Sequence, residues 1–363
     1  MVKPPVTNAP RRPVLVTGGT GGHVFPAIAV AEQLVQRGQQ PLIVSDARGA
    51  SYLREVDFDT EIVPSGGWVG VGLARRIRSL LAMLRGFFIA RRLLHRHRAS
   101  LVVGFGGYSS VAPLLAARSL GLPTLLHEQN AVMGRANRFL SRRVDRLLLS
   151  FPATLGTEAV SSALVIGNPV RRSILASPAL NARPDGNLNL LVLGGSQGAR
   201  ALADAVPEAL NRLSAAQRTR VKLVMQVRQE DQEALRKALP ELGQAPDLRS
   251  FFSPIADFLA AADLVIARAG ATTCAELAVA GRAAIFVPLP SSDQHQKHNA
   301  QAMQAAGAAW VIPQDARLSA GLAERLEQLI EQPELRQNAA RATQNLQAGQ
   351  ASLHFADLIE ELQ

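Results

Sequence analysis

Short apolar runs alternate with stretches of helical periodicity along the whole chain. The runs fall at 14–17, 41–44, 101–103, 124–126 and 145–149, and again at 189–193, 221–226, 248–252, 264–267 and 284–287. After the first run, Ile28, Ala31 and Val35 share one face of a helix that Gly38 closes. After 189–193, Leu202, Ala205, Val206, Ala209 and Leu213 share the face of another. Strand-sized runs separated by helix-sized segments predict parallel sheets with crossover helices. Proline and glycine break the rhythm at Ile166-Gly167-Asn168-Pro169-Val170-Arg171, followed by a polar stretch from Asn181 to Asn189. The break predicts two domains, 1–170 and 171–349, ahead of a last segment, 350–363, patterned to pack across either lobe, the first included. The first 12 residues carry three prolines and no apolar run, so they are expected to be disordered and to hold no signal peptide.

Two glycine-rich turns stand at matching places in this rhythm. Gly18-Gly19-Thr20-Gly21-Gly22 follows the strand at 14–17, and Gly194-Gly195-Ser196-Gln197-Gly198 follows the strand ending at Leu193; each opens a helix. Glycine lets the backbone turn sharply and bring amide groups against an oxyanion, and a helix N-terminus adds partial positive charge. Two such units predict an α/β protein of two Rossmann-like, doubly wound parallel-sheet domains facing across a cleft. Two further turns at strand ends, Gly104-Phe105-Gly106-Gly107-Tyr108-Ser109-Ser110 and Arg268-Ala269-Gly270-Ala271-Thr272, favour a ligand with a pyrophosphate. The first turn lacks the Lys-Ser/Thr of a P-loop and does not fit G-x-G-x-x-G, which counts against ATP hydrolysis and nicotinamide binding. Gly194-x-Ser196-x-Gly198 fits the nucleophile elbow of serine hydrolases, with Asp257, Asp263, His295, His298 and His354 downstream to complete a triad. Against that alternative, a whole preceding lobe with its own glycine turn has no purpose in a simple hydrolase. A non-catalytic nucleotide-sugar-binding protein is the other alternative.

Composition narrows the setting. At 363 residues and 47% apolar, the chain can bury two cores, and it has no run of about 18 apolar residues to span a bilayer. Its single cysteine, Cys274, excludes an internal disulfide and fits a reducing compartment. The net charge is +10, and between Glu61 and Glu128 no acidic residue occurs while nine arginines do. That window includes a helix with Ile77, Leu80, Leu81, Leu84 and Phe88 at helical spacing and Arg75, Arg78 and Arg85 around them. It reads either as a solvated helix packing its apolar stripe on the sheet or as a surface that adsorbs to anionic membrane through Arg75, Ile77, Arg78, Leu81, Leu84, Arg85 and Phe88. It lacks the interleaved aromatics and the recognisable module that nucleic-acid binding requires.

Candidate chemistry sits at strand ends. His23 closes the first glycine loop, where an imidazole titrating near neutrality serves as a general base. His127-Glu128-Gln129-Asn130 emerges from the strand at 124–126, and Glu128 is the second candidate for the base. Asp57-Phe58-Asp59 has the form of a D-x-D metal site but reads as solvated turn residues. His95/His97 and His295/His298 have no carboxylate completing a ligand set, so no metal and no cofactor are expected.

Taken together and in order, five segments resemble the MurG family over essentially the whole chain. They are Thr17-Gly18-Gly19-Thr20-Gly21-Gly22-His23-Val24-Phe25-Pro26, Gly104-Phe105-Gly106-Gly107-Tyr108-Ser109, His127-Glu128-Gln129-Asn130, Gly167-Asn168-Pro169-Val170-Arg171 and Gly194-Gly195-Ser196-Gln197-Gly198-Ala199-Arg200. Members of this family move N-acetylglucosamine (GlcNAc) from UDP-GlcNAc onto lipid I to make lipid II. The resemblance implies a GT-B fold with the sugar nucleotide in the C-terminal domain. It also implies an N-terminal domain that meets the undecaprenyl-linked acceptor peripherally at the cytoplasmic face of the bacterial inner membrane, with other cell-wall synthesis proteins as partners. On this basis Glu276 holds the ribose hydroxyls and the backbone of Phe252 meets the uracil. Ser196, Arg171 and the turn of Ala271, Thr272, Thr273, Cys274, Ala275 and Glu276 serve the pyrophosphate and ribose. Gln296 and Asn130 contact GlcNAc, with Thr20, Gly21 and Gly22 closing over it, and Gly18, Gly19, Gly106, Gly107, Tyr108 and Ser109 meet the acceptor pyrophosphate. Where the family usually has Arg-Ser-Gly-Ala, this chain has Arg268-Ala269-Gly270-Ala271, one hydroxyl fewer. The implied reaction inverts: the acceptor's 4-hydroxyl attacks C1 of the α-linked donor, UDP leaves from the opposite face, and a β bond forms.

Overall fold

The computed structural model describes residues 12–363 apart from 55, 66–72, 159, 161–162, 176–186, 195–199, 292 and 347; the side chains of 73–78, 80 and 348 are outside the description too. The chain divides into two units, one of residues up to 129, 133–169 and 350–363, the other of 130–132 and 170–349. In the first, β1 (Pro13–Val16), α1 (Gly21–Gln36), β2 (Leu42–Ser45), β3 (Asp59–Ile62), α2 (Leu73–His97), β4 (Leu101–Gly104) and α3 (Val111–Ser119) are followed by β5 (Thr124–Glu128), α4 (Arg135–Leu140), β6 (Arg146–Leu149) and β7 (Ala163–Val165). The seven strands form one parallel sheet in the order β3-β2-β1-β4-β5-β6-β7. Its central strands β1, β2, β4 and β5 are buried along their whole length, as helices on both faces require, and so appear in the sequence as unbroken apolar runs.

The second unit runs α5 (Arg172–Leu175), β8 (Leu188–Leu193), α6 (Arg200–Arg212), α7 (Ala215–Arg218), β9 (Val221–Gln226), α8 (Gln232–Ala238), β10 (Asp247–Arg249), α9 (Ile255–Ala261) and β11 (Leu264–Ala267). It continues with α10 (Ala271–Val279), β12 (Ala283–Phe286), α11 (His295–Ala305), β13 (Ala309–Val311), α12 (Leu318–Glu331) and α13 (Pro333–Ala342). Its six strands are again all parallel, in the order β10-β9-β8-β11-β12-β13. Leu202, Ala205, Val206, Ala209 and Leu213 of the α6 region are all buried in its core, the face expected from their spacing.

The last helix, α14 (Ala351–Leu362), belongs to the first unit and lies against α1. Phe355, Ala356 and Ile359 are fully buried in one cluster with Val24, Ala27, Ile28, Ala31 and Leu34. Arg37, just past α1, pairs with Asp357 at 2.7 Å and Glu360 at 2.9 Å. This second covering alters the buried face of α1: Leu34 is buried, whereas Val35, expected on the packed stripe, is 48% exposed.

A second correction concerns α2. The side chains that pack against the sheet and α3 are Met83, Phe87, Ala90, Leu93 and Leu94. Leu81, Leu84 and Phe88, spaced i, i+3 and i+7, are 60%, 50% and 66% exposed, so the solvated helix with its apolar stripe on the sheet is not what these three form. Arg85 is exposed among them; the side chains of Arg75, Ile77, Arg78 and Leu80 lie outside the described residues. Among the described residues no helix is long and apolar enough to cross a membrane.

Candidate active site

In both sheets the order reverses direction once, between β1 and β4 and between β8 and β11. Connections diverge there, leaving room at the carboxyl ends of the strands, the usual ligand position in a doubly wound sheet. In the first unit β1 ends in Thr17-Gly18-Gly19 and β4 ends in Phe105-Gly106-Gly107; in the second, β8 leads to Gly194 and β11 to Arg268-Ala269-Gly270. Three of the glycine turns, and Gly194 at the start of the fourth, therefore sit at a switch point.

The first turn is held by a residue that motif reading passes over. Asp46, directly after β2, is buried; its Oδ1 accepts from the amides of Gly19 at 2.9 Å and Gly49 at 2.8 Å, and its Oδ2 from the Ser65 hydroxyl at 3.2 Å. Burial acts to raise its pKa, but the two amides, Ser65 and the nearby Arg48 outweigh it and hold the carboxyl below its ordinary value. Gly18 has to lack a side chain, since a Cβ there would stand 2.9 Å from the Asp46 carboxyl and from Ser109 Cβ. An acid at the end of the second strand is where dinucleotide folds keep a ribose ligand. Here that acid is engaged by the loop's own backbone, and the Gly19 amide with it.

Opposite, Gly106 and Gly107 have φ of +83° and +73°, values that favour glycine, and Ser110 Oγ donates to the Gly106 carbonyl at 2.8 Å. Tyr108 and Ser109 follow half-buried. Thr20 caps α1 with extended backbone and makes no side-chain cap bond; Gly21 is buried and Gly22 exposed. His23, half-buried in the first turn of α1, has Nδ1 3.0 Å from Gln129 Oε1, and its Nε2 lies 3.7 Å from where a Gly107 Cβ would be.

The four residues His127 to Asn130 do four different things. His127 is fully buried between Phe105 and Phe355, with Nε2 3.1 Å from the Gly167 carbonyl and 3.0 Å from Ser150 Oγ. Glu128, also buried, accepts through Oε2 from the Gly134 amide at 2.9 Å and from Asn137 Nδ2 at 2.8 Å. Gln129 bridges His23 and the Phe105 carbonyl. Asn130 belongs to the second unit, where Asn299 Nδ2 donates to its Oδ1 at 3.1 Å and to the Ala269 carbonyl at 3.0 Å, and Asn299 Oδ1 accepts from the Ala131 amide at 2.8 Å.

Burial lowers the His127 pKa to about 3, against the Gly167 carbonyl, which raises it. In the unfolded chain the same imidazole protonates near 6.5. Between those values acid favours the unfolded state, by about 1.4 kcal/mol per pH unit for one proton. The urea midpoint is therefore expected to fall from pH 6.5 to pH 5, with a shallower fall in His127→Gln. Identical slopes for parent and variant would remove His127 as the cause.

In the second unit Arg171 Nε and Nη2 donate to Glu276 Oε1 at 3.1 and 2.7 Å. Burial pushes the Glu276 carboxyl up and Arg171 pulls it back, leaving it above its ordinary value. α10 starts at Ala271 behind Gly270. Thr273 and Glu276, three apart, share its accessible face, while Ala271, Thr272, Cys274 and Ala275 are buried. Burial also drives the Cys274 thiol upward. Ala269 is completely buried. The Phe252 ring is buried against Phe258, with centroids 4.5 Å apart. Gln296 Oε1 accepts from the Leu289 amide at 2.9 Å. Ser196 lies outside the described residues.

Residues 14–149 match the N-terminal domain of glycosyltransferase family 28 and residues 189–362 its C-terminal domain. A Rhodospirillum rubrum protein named UDP-N-acetylglucosamine–N-acetylmuramyl-(pentapeptide) pyrophosphoryl-undecaprenol N-acetylglucosamine transferase is 43% identical over 98% of this chain and 92% of its own. A Methylobacterium protein of the same name is 46% identical over 96% of each. The crystal structure of Acinetobacter baumannii MurG superposes with a TM-score of 0.77 at 34% identity, covering 97% of this chain and all of that one. The chain belongs to the MurG family within glycosyltransferase family 28. The kitacinnamycin glycosyltransferase, at 19% identity and a TM-score of 0.72 over 97% of this chain and 99% of that one, shares the fold. In a MurG-family chain Gly194-x-Ser196-x-Gly198 is the glycine turn of a glycosyltransferase, and the hydrolase alternative loses its basis. Asp46 is the residue at these turns that sequence reading missed, because the Gly19 amide it holds is 27 residues away along the chain and is brought to it by the pairing of β1 with β2.

Proposed function

We propose that this chain carries out the reaction for which its relatives are named, transferring GlcNAc from UDP-GlcNAc to undecaprenyl-pyrophosphoryl-N-acetylmuramyl-pentapeptide, lipid I, to give lipid II. The observation that carries this reading is identity of 43–46% with such transferases over nearly the whole chain. The donor belongs to the second unit: Glu276 accepts from the ribose through Oε2, since Arg171 takes Oε1, and the Phe252 backbone meets the uracil. Gln296 and Asn130 contact the sugar. As the donor bond breaks, negative charge builds on the departing diphosphate, where Arg171 and the amides at the start of α10 stabilise it. The acceptor diphosphate meets the Gly106-Gly107 turn, Tyr108 and Ser109 in the first unit. His23 takes the proton from the attacking 4-hydroxyl. The occupied, buried Oε2 of Glu128 supports His23 in that role over Glu128. Incubation with labelled UDP-GlcNAc and lipid I is expected to yield lipid II with one UDP released per bond formed. UDP release at the same rate without acceptor would overturn the assignment.

Attachment to the cytoplasmic face of the inner membrane is proposed through α2, where Leu81, Leu84 and Phe88 stand exposed around Arg85, preceded by Arg75, Ile77 and Arg78. Each near-surface arginine contributes about 1 kcal/mol toward anionic lipid, roughly five-fold in affinity. The triple variant Leu81→Ser, Arg85→Glu, Phe88→Ser is expected to lose sedimentation with anionic vesicles by ten-fold or more. Activity on a soluble short-chain acceptor should be retained and activity on vesicle-borne lipid I should fall. Equal sedimentation of parent and variant would place the contact elsewhere.

A further inference from the structure

Gln129 stands immediately after β5 and is buried, with its side-chain amide pinned at both ends. Its Nε2 lies 2.7 Å from the Phe105 carbonyl oxygen and its Oε1 lies 3.0 Å from His23 Nδ1. A backbone carbonyl only accepts, so the amide's NH2 end must face Phe105 and its oxygen must face the imidazole. An amide oxygen also only accepts, so His23 Nδ1 must carry a hydrogen. A neutral imidazole has one N–H, which leaves Nε2 with the lone pair. That nitrogen faces the Gly107 turn, 3.7 Å from where a Cβ would stand. The free histidine side chain favours the opposite tautomer, protonated on Nε2, in which a base aimed at that turn would present a hydrogen instead of a lone pair.

We infer that Gln129 is a positioning residue that holds His23 in its Nδ1–H tautomer, so that Nε2 meets the acceptor hydroxyl ready to take its proton. This rests on His23 being the base. The same Oε1 keeps accepting from Nδ1 once the ring is protonated, so the contact is maintained as charge develops. The Phe105 carbonyl follows β4 and Gln129 follows β5, which pair in register in the sheet, so the tautomer is set by backbone geometry.

The test is spectroscopic first. Ring nitrogens of 15N-histidine-labelled protein, assigned with His23→Gln, are read at a pH about two units above the usual imidazole value of about 6.5. The parent is expected to show His23 protonated on Nδ1; protonation on Nε2 overturns the inference without any variant being needed. Gln129→Leu should shift His23 toward Nε2–H and lower kcat about 10- to 100-fold, with UDP affinity within two-fold of the parent. Gln129→Glu, whose carboxylate still offers Nδ1 an acceptor while losing the bond to the Phe105 carbonyl, should keep the Nδ1–H signature. An unchanged tautomer in Gln129→Leu overturns the positioning role. A changed tautomer with unchanged kcat instead removes His23 as the base and leaves the Gln129 contact standing.

Discussion

His23→Ala is expected to lower kcat for GlcNAc transfer by about 100- to 10,000-fold, the usual contribution of a positioned general base, while UDP binds within two-fold of the parent. The separation follows from where the residues are. His23 lies in the first unit on α1, where it bonds to Gln129, whereas Arg171, Glu276 and Phe252 all lie in the second. Steady-state kinetics with both substrates, paired with UDP calorimetry, checks both halves. Turnover within a few-fold of the parent would show that the proton goes elsewhere and make Glu128 the next residue to replace. That replacement carries its own signature, since Glu128 holds the Gly134 amide and Asn137, and its loss should lower the melting temperature as well as the rate.

Glu276→Ala is expected to weaken UDP binding about 10- to 150-fold, the equivalent of the roughly 1.5 to 3 kcal/mol carried by hydrogen bonds to a charged group. The change also removes an acceptor from Arg171, whose guanidinium donates to Glu276 Oε1. Comparing Glu276→Ala, Arg171→Ala and the double variant by calorimetry separates the two effects. Because burial raises the Glu276 pKa, the carboxylate that accepts from ribose is lost on acidification sooner than an exposed glutamate would lose it. UDP affinity should therefore weaken as pH falls, and Glu276→Ala should flatten that dependence. Parent-like affinity in Glu276→Ala would remove it from the site.

The class of fold was legible in the chain because central strands of a parallel sheet are buried on both faces. β1, β2, β4 and β5 in one unit and β8 and β11 in the other each appear as an apolar run, followed in every case but β2 by a helix. The strands left out are edges. All four residues of β3 are exposed, β7 is largely exposed, and β13 is three residues long; each pairs on one side only, so none needs an apolar signature. The same limit explains the helices. Helical spacing identified apolar stripes on α1 and α2, but not which neighbour would cover them. α14 covers α1 and shifts the buried face from Val35 to Leu34, while Met83, Phe87, Ala90 and Leu94 take the inner face of α2 and leave Leu81, Leu84 and Phe88 outside.

What the sequence determined by itself was local: apolar periodicity, the glycine turns after strands, the break near Pro169, the acid-free arginine window, and enough ordered motifs to place the chain in its family. These depend on residues close together along the chain, whose backbone conformations the residue types bias directly. What only the tertiary structure decided was the partner of each polar group. Nothing along the chain states that Asp46 is engaged by Gly19 and Gly49, or that His127 is enclosed by Phe105 and Phe355 while Gln129 reaches His23. Nor does it state that Arg171 and Glu276, 105 residues apart, share one oxygen. A hydrogen bond depends on distance and direction in space, and the parallel sheets bring those groups together from separate crossovers.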